Sequence, residues 1–579
     1  MSRPAQTRPQ PGAGAGHSEM LTRMARGSTA SLVGAAITAV CTFAVAVAVA
    51  RGLSRADAGV FFTATSLFLL ATSVGQLGTQ TSLVYFLSRA RSQRRTSAID
   101  AYVRIAVRPV LAVAVGMAVL TFVLAGPLAR LIAGDSAGQT ATYLRVLAIF
   151  VPVVAFEMAT LAATRGLGTM RPYSMIEQIG RPVLQLVLVV VAALAAGTTA
   201  VSWAWSLPYL AAALLALRSW RRLRQAYAPR AASDADSDAD SGADSGLDSG
   251  ADRNGRTGTA ETPSTREPTY REFWGFSVPR GLTSVIQMLL QRLDIVLVAA
   301  LAGTVDAAIY AAATRFIVVG QLGTNSLTLA TQPQLAEKLA AGDRRGTNAV
   351  YQTSTTWLIL VTWPVYLTLI MFGGPLLSLF GHSYTTGREA ILIIALSMLV
   401  STGLGMVDTV LAMAGHISWN VGNALLALAT NIGLDLWLIP SHGIVGAAIG
   451  WAVAIVVRNV AAATQVGLAL KFHPVARCTA TAVSLCVASY LVVLGLFRLV
   501  LGASVTGLVT GLVCATACFA VGLWVLRRPL RIDALAGLRR RRPVAAPAPV
   551  VGRAGAAEAR HAEALGVPIS PAGSPELGP

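Results

Sequence analysis

One apolar stretch, SVPRGLTSVIQMLLQRLDIVLVAALAG, carries two arginines, two glutamines and an aspartate among its Leu, Val and Ala residues. Arg280, Gln287, Gln291 and Asp294 follow one another at steps of seven, four and three, which sets them along one helical face. Arg292 lies off that stripe, but its side chain is long enough to reach around. The next apolar stretch adds Arg315, deep inside its own run. A guanidinium is planar and permanently charged, and its forked donors match phosphate oxygens, so such a set suits anion binding. Internal pairing competes with that reading. Arg292 or Arg315 with Asp294 would make a structural bridge, although side chains at i and i+2 on a helix point apart. Arg280 could also snorkel to the nearer interface. Glu157 and Asp408 stand alone in two further apolar stretches. They are candidates for helix–helix hydrogen bonding or for ion coupling, and Asp435 lies in another stretch.

The elements that must position these groups are membrane helices. Apolar residues make up 54% of the chain and charged ones 13%, with a mean hydropathy of +0.61. A soluble domain carries about 25% charged residues, so this chain has too few to cover a globular surface. The apolar residues come in blocks of about the 20 needed to cross a bilayer. The first block, from Ser28 to Ala50, is too long for a signal-peptide core and is followed by others. We read fourteen spans, at 28–50, 58–87, 107–126, 142–164, 182–197, 200–217, 274–302, 305–330, 352–374, 389–414, 419–440, 443–469, 479–500 and 504–526. The fold class expected is an all-α polytopic membrane protein.

The net charge of +19 is almost all arginine, and its distribution argues for topology rather than for nucleic-acid binding. Arg89, Arg91, Arg94, Arg95 and Arg104 follow span 2; Arg165, Arg171 and Arg181 follow span 4; RSWRRLRQ ends span 6; and RRRR follows span 14. The alternate loops carry scattered arginines only. By the positive-inside rule both termini face the cytoplasm, which places the protein in the cytoplasmic membrane. The expected organisation is a disordered tail (1–27), a six-helix lobe (28–225), and an Asp/Ser/Gly-rich disordered linker (226–270). A second six-helix lobe (271–470), two additional helices (471–530) and a disordered basic tail (531–579) follow. Low-complexity Asp/Ser/Gly sequence cannot bury enough apolar surface to offset its ordering entropy. The basic tails could touch anionic lipid. The five cysteines lie in apolar stretches and read as packing residues, the histidines lie in or near loops, and no metal or cofactor is expected.

A repeat orders the lobes. VGQLGT occurs at Val74–Thr79 and again at Val319–Thr324, in the contexts DAGVFFTATSLFLLATSVGQLGT and DAAIYAAATRFIVVGQLGT. AGPLARLIAGDSAGQTATYLRVLAI and GGPLLSLFGHSYTTGREAILIIAL echo each other further on. Spans 1–6 and 7–12 are therefore two halves in the same orientation, an architecture that places a site at the interface of the halves near mid-membrane. The hexamer reads as a copied scaffold element whose glycines suit close helix contact. The same alignment brings Glu157 and Asp408 to equivalent positions.

NIGLDLWLIPSHGIVGAAIGWAVA resembles the signature of the polysaccharide-transporter family, which includes the O-antigen and teichoic-acid type flippases. LLSLFGHSYTTGREAILIIAL and RGLGTMRPYSMIEQIGRPV look like its outer-loop and inner-loop patterns. That family falls within the multidrug/oligosaccharidyl-lipid/polysaccharide exporter superfamily, and the resemblance spans roughly 28–470. It implies two six-helix lobes in a V and alternating access. The pair of extra C-terminal helices is shared with lipid II flippases. With this resemblance, the expected cargo is a polyprenyl-diphosphate-linked oligosaccharide. Arg280, Arg292 and Arg315 would hold the diphosphate, with Gln287, Gln291, Asp294, Glu157 and Asp408 as polar or ion-coupling groups. Membrane lipid, and glycosyltransferases or a polymerase of the same pathway, are the expected partners; nucleic acid is not. A lipid II flippase or a cation-coupled drug exporter is the alternative. The latter would want an acidic cavity. A membrane glycosyltransferase would need a large loop bearing carboxylates or metal ligands, and the outer loops are short.

Overall fold

The computed structural model describes residues 13–93, 95–195, 197–243, 269–473 and 476–530. No strand occurs among them. In chain order the helices are α1 (Ala13–Gly52), α2 (Arg55–Gln76), α3 (Thr79–Ser92), α4 (Thr96–Ala133), α5 (Ala137–Gly166), α6 (Arg181–Ala195), α7 (Gly197–Ala243) and α8 (Tyr270–Leu301). Then come α9 (Thr304–Ala340), α10 (Arg344–Leu377), α11 (Arg388–Gly403), α12 (Val407–Met413), α13 (Ile417–Gln465), α14 (Arg477–Cys486), α15 (Val493–Leu501) and α16 (Val505–Val525). A π-helical turn, Tyr173–Gly180, leads into α6, and another, Val487–Val492, joins α14 to α15.

Among the described residues, thirteen helical segments are long and apolar enough to cross a bilayer. One of them, Ile417–Leu470, has 54 residues. At 1.5 Å per residue it would reach about 80 Å if straight, far beyond the ~30 Å hydrocarbon core. It is not straight. Gly443 sits at φ 54°, ψ −132°, a conformation open to glycine, and breaks it. Beyond the break the chain runs back along itself. A Cβ on Gly446 would lie 2.5 Å from the Leu438 carbonyl, and the Asn423 and Gln465 side-chain amides exchange hydrogen bonds of 2.8 and 3.0 Å. Residues on either side of Gly443 therefore meet in order, as in a hairpin. This one segment supplies both the eleventh and the twelfth span, and the thirteen segments make fourteen crossings.

Three expected boundaries shift. α1 begins at Ala13, inside the stretch expected to be a tail, and α7 runs on to Ala243, into the expected linker. Ala is the commonest residue of the first part of that extension, and it is the best helix former. The fifth crossing starts at Tyr173, not Pro182, because the π-helical turn carries the helix back through Glu177 and Arg181. Residues 1–12, 244–268 and 531–579, which include the rest of the linker and the basic tail, lie outside the described residues.

In the first half α4 packs on α5, α5 on α7, and α6 on both α7 and α1; in the second, α10 packs on α9 and α11, and α13 on α11 and α8. α14 lies against α10. The halves meet through α2, which runs between α8 and α9. At one end Gly59 lets α2 approach so closely that a Cβ there would overlap the Thr304 carbonyl. At the same end Phe43 stands edge-on to Phe316 and Phe380, with ring centroids 5.3 and 5.4 Å apart, and Arg51 Nε donates to the Leu379 carbonyl at 2.6 Å.

At the other end, which carries the arginine-rich loops, the two VGQLGT copies part company. In the first, Leu77 and Gly78 both adopt left-handed backbone (φ 49° and 74°), and the helix breaks between α2 and α3. A left-handed Leu costs about 1–2 kcal/mol. What holds it is contact: Gly78 is packed on Gly281 of α8, where a Cβ would lie 2.4 Å from the Gly281 nitrogen. The second copy runs unbroken through α9, with Gly320 beneath the Tyr366 ring and Gly323 beside Val361. The glycines do serve close contact, but the same six residues take two shapes because only the first copy has a glycine of another helix to dock against.

Candidate functional site

Between the two points of closure the halves enclose a cavity of about 170 Å³. α1 contributes Thr42, Val45 and Ala46, and α2 contributes Phe61, Phe62, Thr65 and Leu69. Arg181 and Gln185 come from α6, Trp205 and Tyr209 from α7, Arg292 from α8 and Arg315 from α9. Arg315 lies about 17 Å along α9 from Thr304, which puts the cavity near the middle of a ~30 Å core.

Arg292 and Arg315, both expected from the sequence, are brought together here, close enough for each charge to act on the other. Each has a buried Nε without a hydrogen-bond partner, and neither makes an ion pair among the described residues. Arg315 also stands 5.5 Å over the Phe62 ring. Placing an arginine mid-membrane costs about 2.5–3.5 kcal/mol on insertion scales, and here two stand partly buried in one cavity with no ion-pair partner among the described residues. The arrangement can take an anion.

The internal bridge to Asp294 does not form. That carboxylate points into the second half, where Tyr310 donates to its Oδ2 at 2.9 Å. Asn431 and Asp435 of α13 complete the cluster, with Asn431 Nδ2 donating to Asp435 Oδ2 at 3.2 Å. One oxygen each of Asp294, Asp435 and Asn431 is buried without a donor. Two neighbouring carboxylates and an amide oxygen with no basic partner can share a proton. Asn431 and Tyr310 were missed in the sequence; the i, i+4 spacing of Asn431 and Asp435 was the signal available.

Arg280 lies outside the cavity. Its guanidinium stacks 3.5 Å over the Phe276 ring and donates to the Phe276 carbonyl at 3.2 Å. Gln287 and Gln291 are exposed and do not line the cavity. Asp408 pairs with Arg458 inside the second half, and its carbonyl accepts from Asn420. Glu157 is fully buried in the first half, beside Glu177.

Arg181 is the cavity residue the sequence reading assigned elsewhere, to a loop. Glu177, four residues earlier, accounts for the difference. Arg181 Nη2 and Nε donate to its two oxygens at 2.6 and 2.7 Å, so the pair enters the membrane helix nearly neutral. A larger open hollow of about 740 Å³ lies on the arginine-rich side, lined by α3 with Arg89 and by Arg165.

Residues 24–338 match the polysaccharide biosynthesis protein family, and residues 279–437 match the MatE family. No curated protein matches the chain. Among solved structures, an inward closed conformation of the lipid II flippase MurJ superposes with a TM-score of 0.63 at 10% identity, covering 87% of this chain and 99% of that one. An inward-facing multidrug resistance transporter of the MATE family gives 0.52 at 14%, covering 75% and 95%. A transporter from Pyrococcus furiosus, described as having a binding pocket of reverse polarity, gives 0.50 at 16%, covering 77% and 95%. These likenesses establish the fold, and the match over more than half of the chain establishes the family. The chain belongs to the polysaccharide biosynthesis protein family, and its fold is that of these membrane transporters.

Proposed function

We propose that the protein is a flippase that moves polyprenyl-diphosphate-linked oligosaccharides across the cytoplasmic membrane, with the arginine-rich end inside. The observation that carries this reading is the pair of guanidiniums without an ion-pair partner among the described residues, Arg292 and Arg315, in one cavity lined by both halves. A diphosphate offers several anionic oxygens to such a pair, while the polyprenyl tail stays in lipid. No bond is made or broken; the chamber lowers the barrier for a polar head to pass the hydrocarbon. At about 170 Å³ it is smaller than the ~300 Å³ of ordinary ligand pockets, so the halves must part to admit sugars. Parting them means breaking one end contact at a time, which is alternating access. Arg280, stacked on Phe276 outside the cavity, takes no part in holding the headgroup. Asp294 with Asp435 and Asn431 supplies a place for a coupling proton. The glycosyltransferases that build the cargo would act before the transporter, on the cytoplasmic face.

The drug-exporter alternative requires cationic cargo, which two unpaired arginines repel. Reconstituted vesicles separate the readings. A fluorescent polyprenyl-diphosphate-linked oligosaccharide is expected to reach the opposite leaflet, and tetraphenylphosphonium is expected to move no faster than in empty vesicles. The reverse result would replace the flippase by a drug exporter.

A further inference from the structure

Arg181 has two sides. On one it holds Glu177 through two hydrogen bonds, and its Nη1 donates to Gln185 Oε1 at 3.1 Å. On the other it borders the central cavity with Arg292 and Arg315, its guanidinium 4.7 Å from the Tyr209 ring. Behind Glu177 stands Glu157, 0% exposed, with neither carboxylate oxygen given a donor. Two neighbouring carboxylates thus stand near one guanidinium that bonds to Glu177 alone, and that guanidinium borders the cavity.

We propose that Glu157 and Glu177 form a proton-binding site that takes up one proton when Arg181 turns from Glu177 to an anion in the cavity. The proposal rests on the headgroup reading and adds to it a second proton site, in the first half and distinct from the Asp294–Asp435 pair. Without Arg181, two buried carboxylates would face each other with no cation. Like charges at such a site do not both persist. A proton from the aqueous phase, placed between them, supplies the donor that Glu157 lacks and makes a carboxyl–carboxylate hydrogen bond. Loss of the anion reverses the step: Arg181 returns to Glu177 and the proton leaves. The other titratable groups facing the pair are Tyr173 of the π-helical turn and Tyr209 of α7. Arg165 of α5 faces Tyr173 from behind at 4.6 Å, Arg292 lies beyond Tyr209, and α1 meets the turn through Gly34 and Thr38.

The test uses the purified full-length protein in nanodiscs with farnesyl diphosphate as probe, and reads its dissociation constant between about pH 6 and 8. Uptake of one proton on binding makes affinity fall as pH rises, by about tenfold per pH unit. The probe's own titration is common to all variants. Glu157→Gln is expected to bind the probe and to lose that tenfold slope relative to wild type. Glu177→Gln, which also frees Arg181, is expected to lose it and to bind more tightly at the alkaline end; it serves alone if the first variant does not fold. Equal slopes in wild type and variants would overturn the proton site and leave the headgroup reading standing. Absence of probe binding to the wild type would overturn both.

Discussion

Replacing Arg292 and Arg315 together by Gln is expected to cut transport of lipid-linked oligosaccharide by at least about a hundredfold, with insertion and folding intact. A hydrogen bond to a charged partner contributes about 1.5–3 kcal/mol. Two lost together amount to about 3–6 kcal/mol, or roughly two to four powers of ten in affinity. Folding should not suffer, since neither arginine has an ion-pair partner among the described residues and the substitution removes two like charges that repel each other. Arg280→Gln is the control. Its guanidinium lies on Phe276 outside the cavity, and transport is expected to stay within about fivefold of wild type. Equal losses in the two variants would mean that position in the membrane, not the chamber, sets the effect. Arg181→Gln is a poorer probe, because it also strands Glu177.

The second large effect concerns the contact between α3 and α8. Tyr85 stacks on Phe276 at 4.7 Å, Phe86 lies against Phe273 and Phe276 at 5.4 and 5.3 Å, and Gly78 rests on Gly281. Arg89 and Glu272 meet at 3.7 Å on the exposed rim and add ~0–1 kcal/mol. Aromatic pairs contribute about 0.5–1.5 kcal/mol each beyond their buried area, so this closure is strong enough to hold and weak enough to release. Tyr85→Cys with Phe276→Cys, in a chain whose five native cysteines are Ala, tethers the two helices through a short, reducible bis-maleimide. Transport is expected to fall to background when tethered and to return on reduction. Unchanged transport in the tethered protein would show that this end stays shut throughout the cycle.

The broad plan was legible because it depends on bulk properties. Apolar blocks gave the crossings, and the cost of charge in the membrane pointed to Arg280, Arg292 and Arg315, of which the structure brings the last two to one cavity. What was not legible depends on contacts between distant residues. Arg181 reads as one more arginine of a basic loop until Glu177 is seen to neutralise it and the π-helical turn to draw both into the membrane. Arg280 and Arg292 look alike in sequence; only the rotation of α8 sends one onto Phe276 and the other into the chamber. Asp408 and Glu157 are aligned by the repeat, yet Arg458 partners the first and a second carboxylate accompanies the other. The hexamer is the sharpest instance: identical residues break beside Gly281 and run straight beside Tyr366, so their shape is set by the neighbour.

The central claim is that the diphosphate headgroup is held in the chamber by Arg292 and Arg315. Electron cryomicroscopy of the protein in nanodiscs with a polyprenyl-diphosphate-linked sugar tests it most directly. The account expects phosphate density within hydrogen-bonding distance of both guanidiniums, with the tail leaving between the halves. Phosphate density elsewhere, with both arginines turned to lipid or closed onto carboxylates, would contradict it.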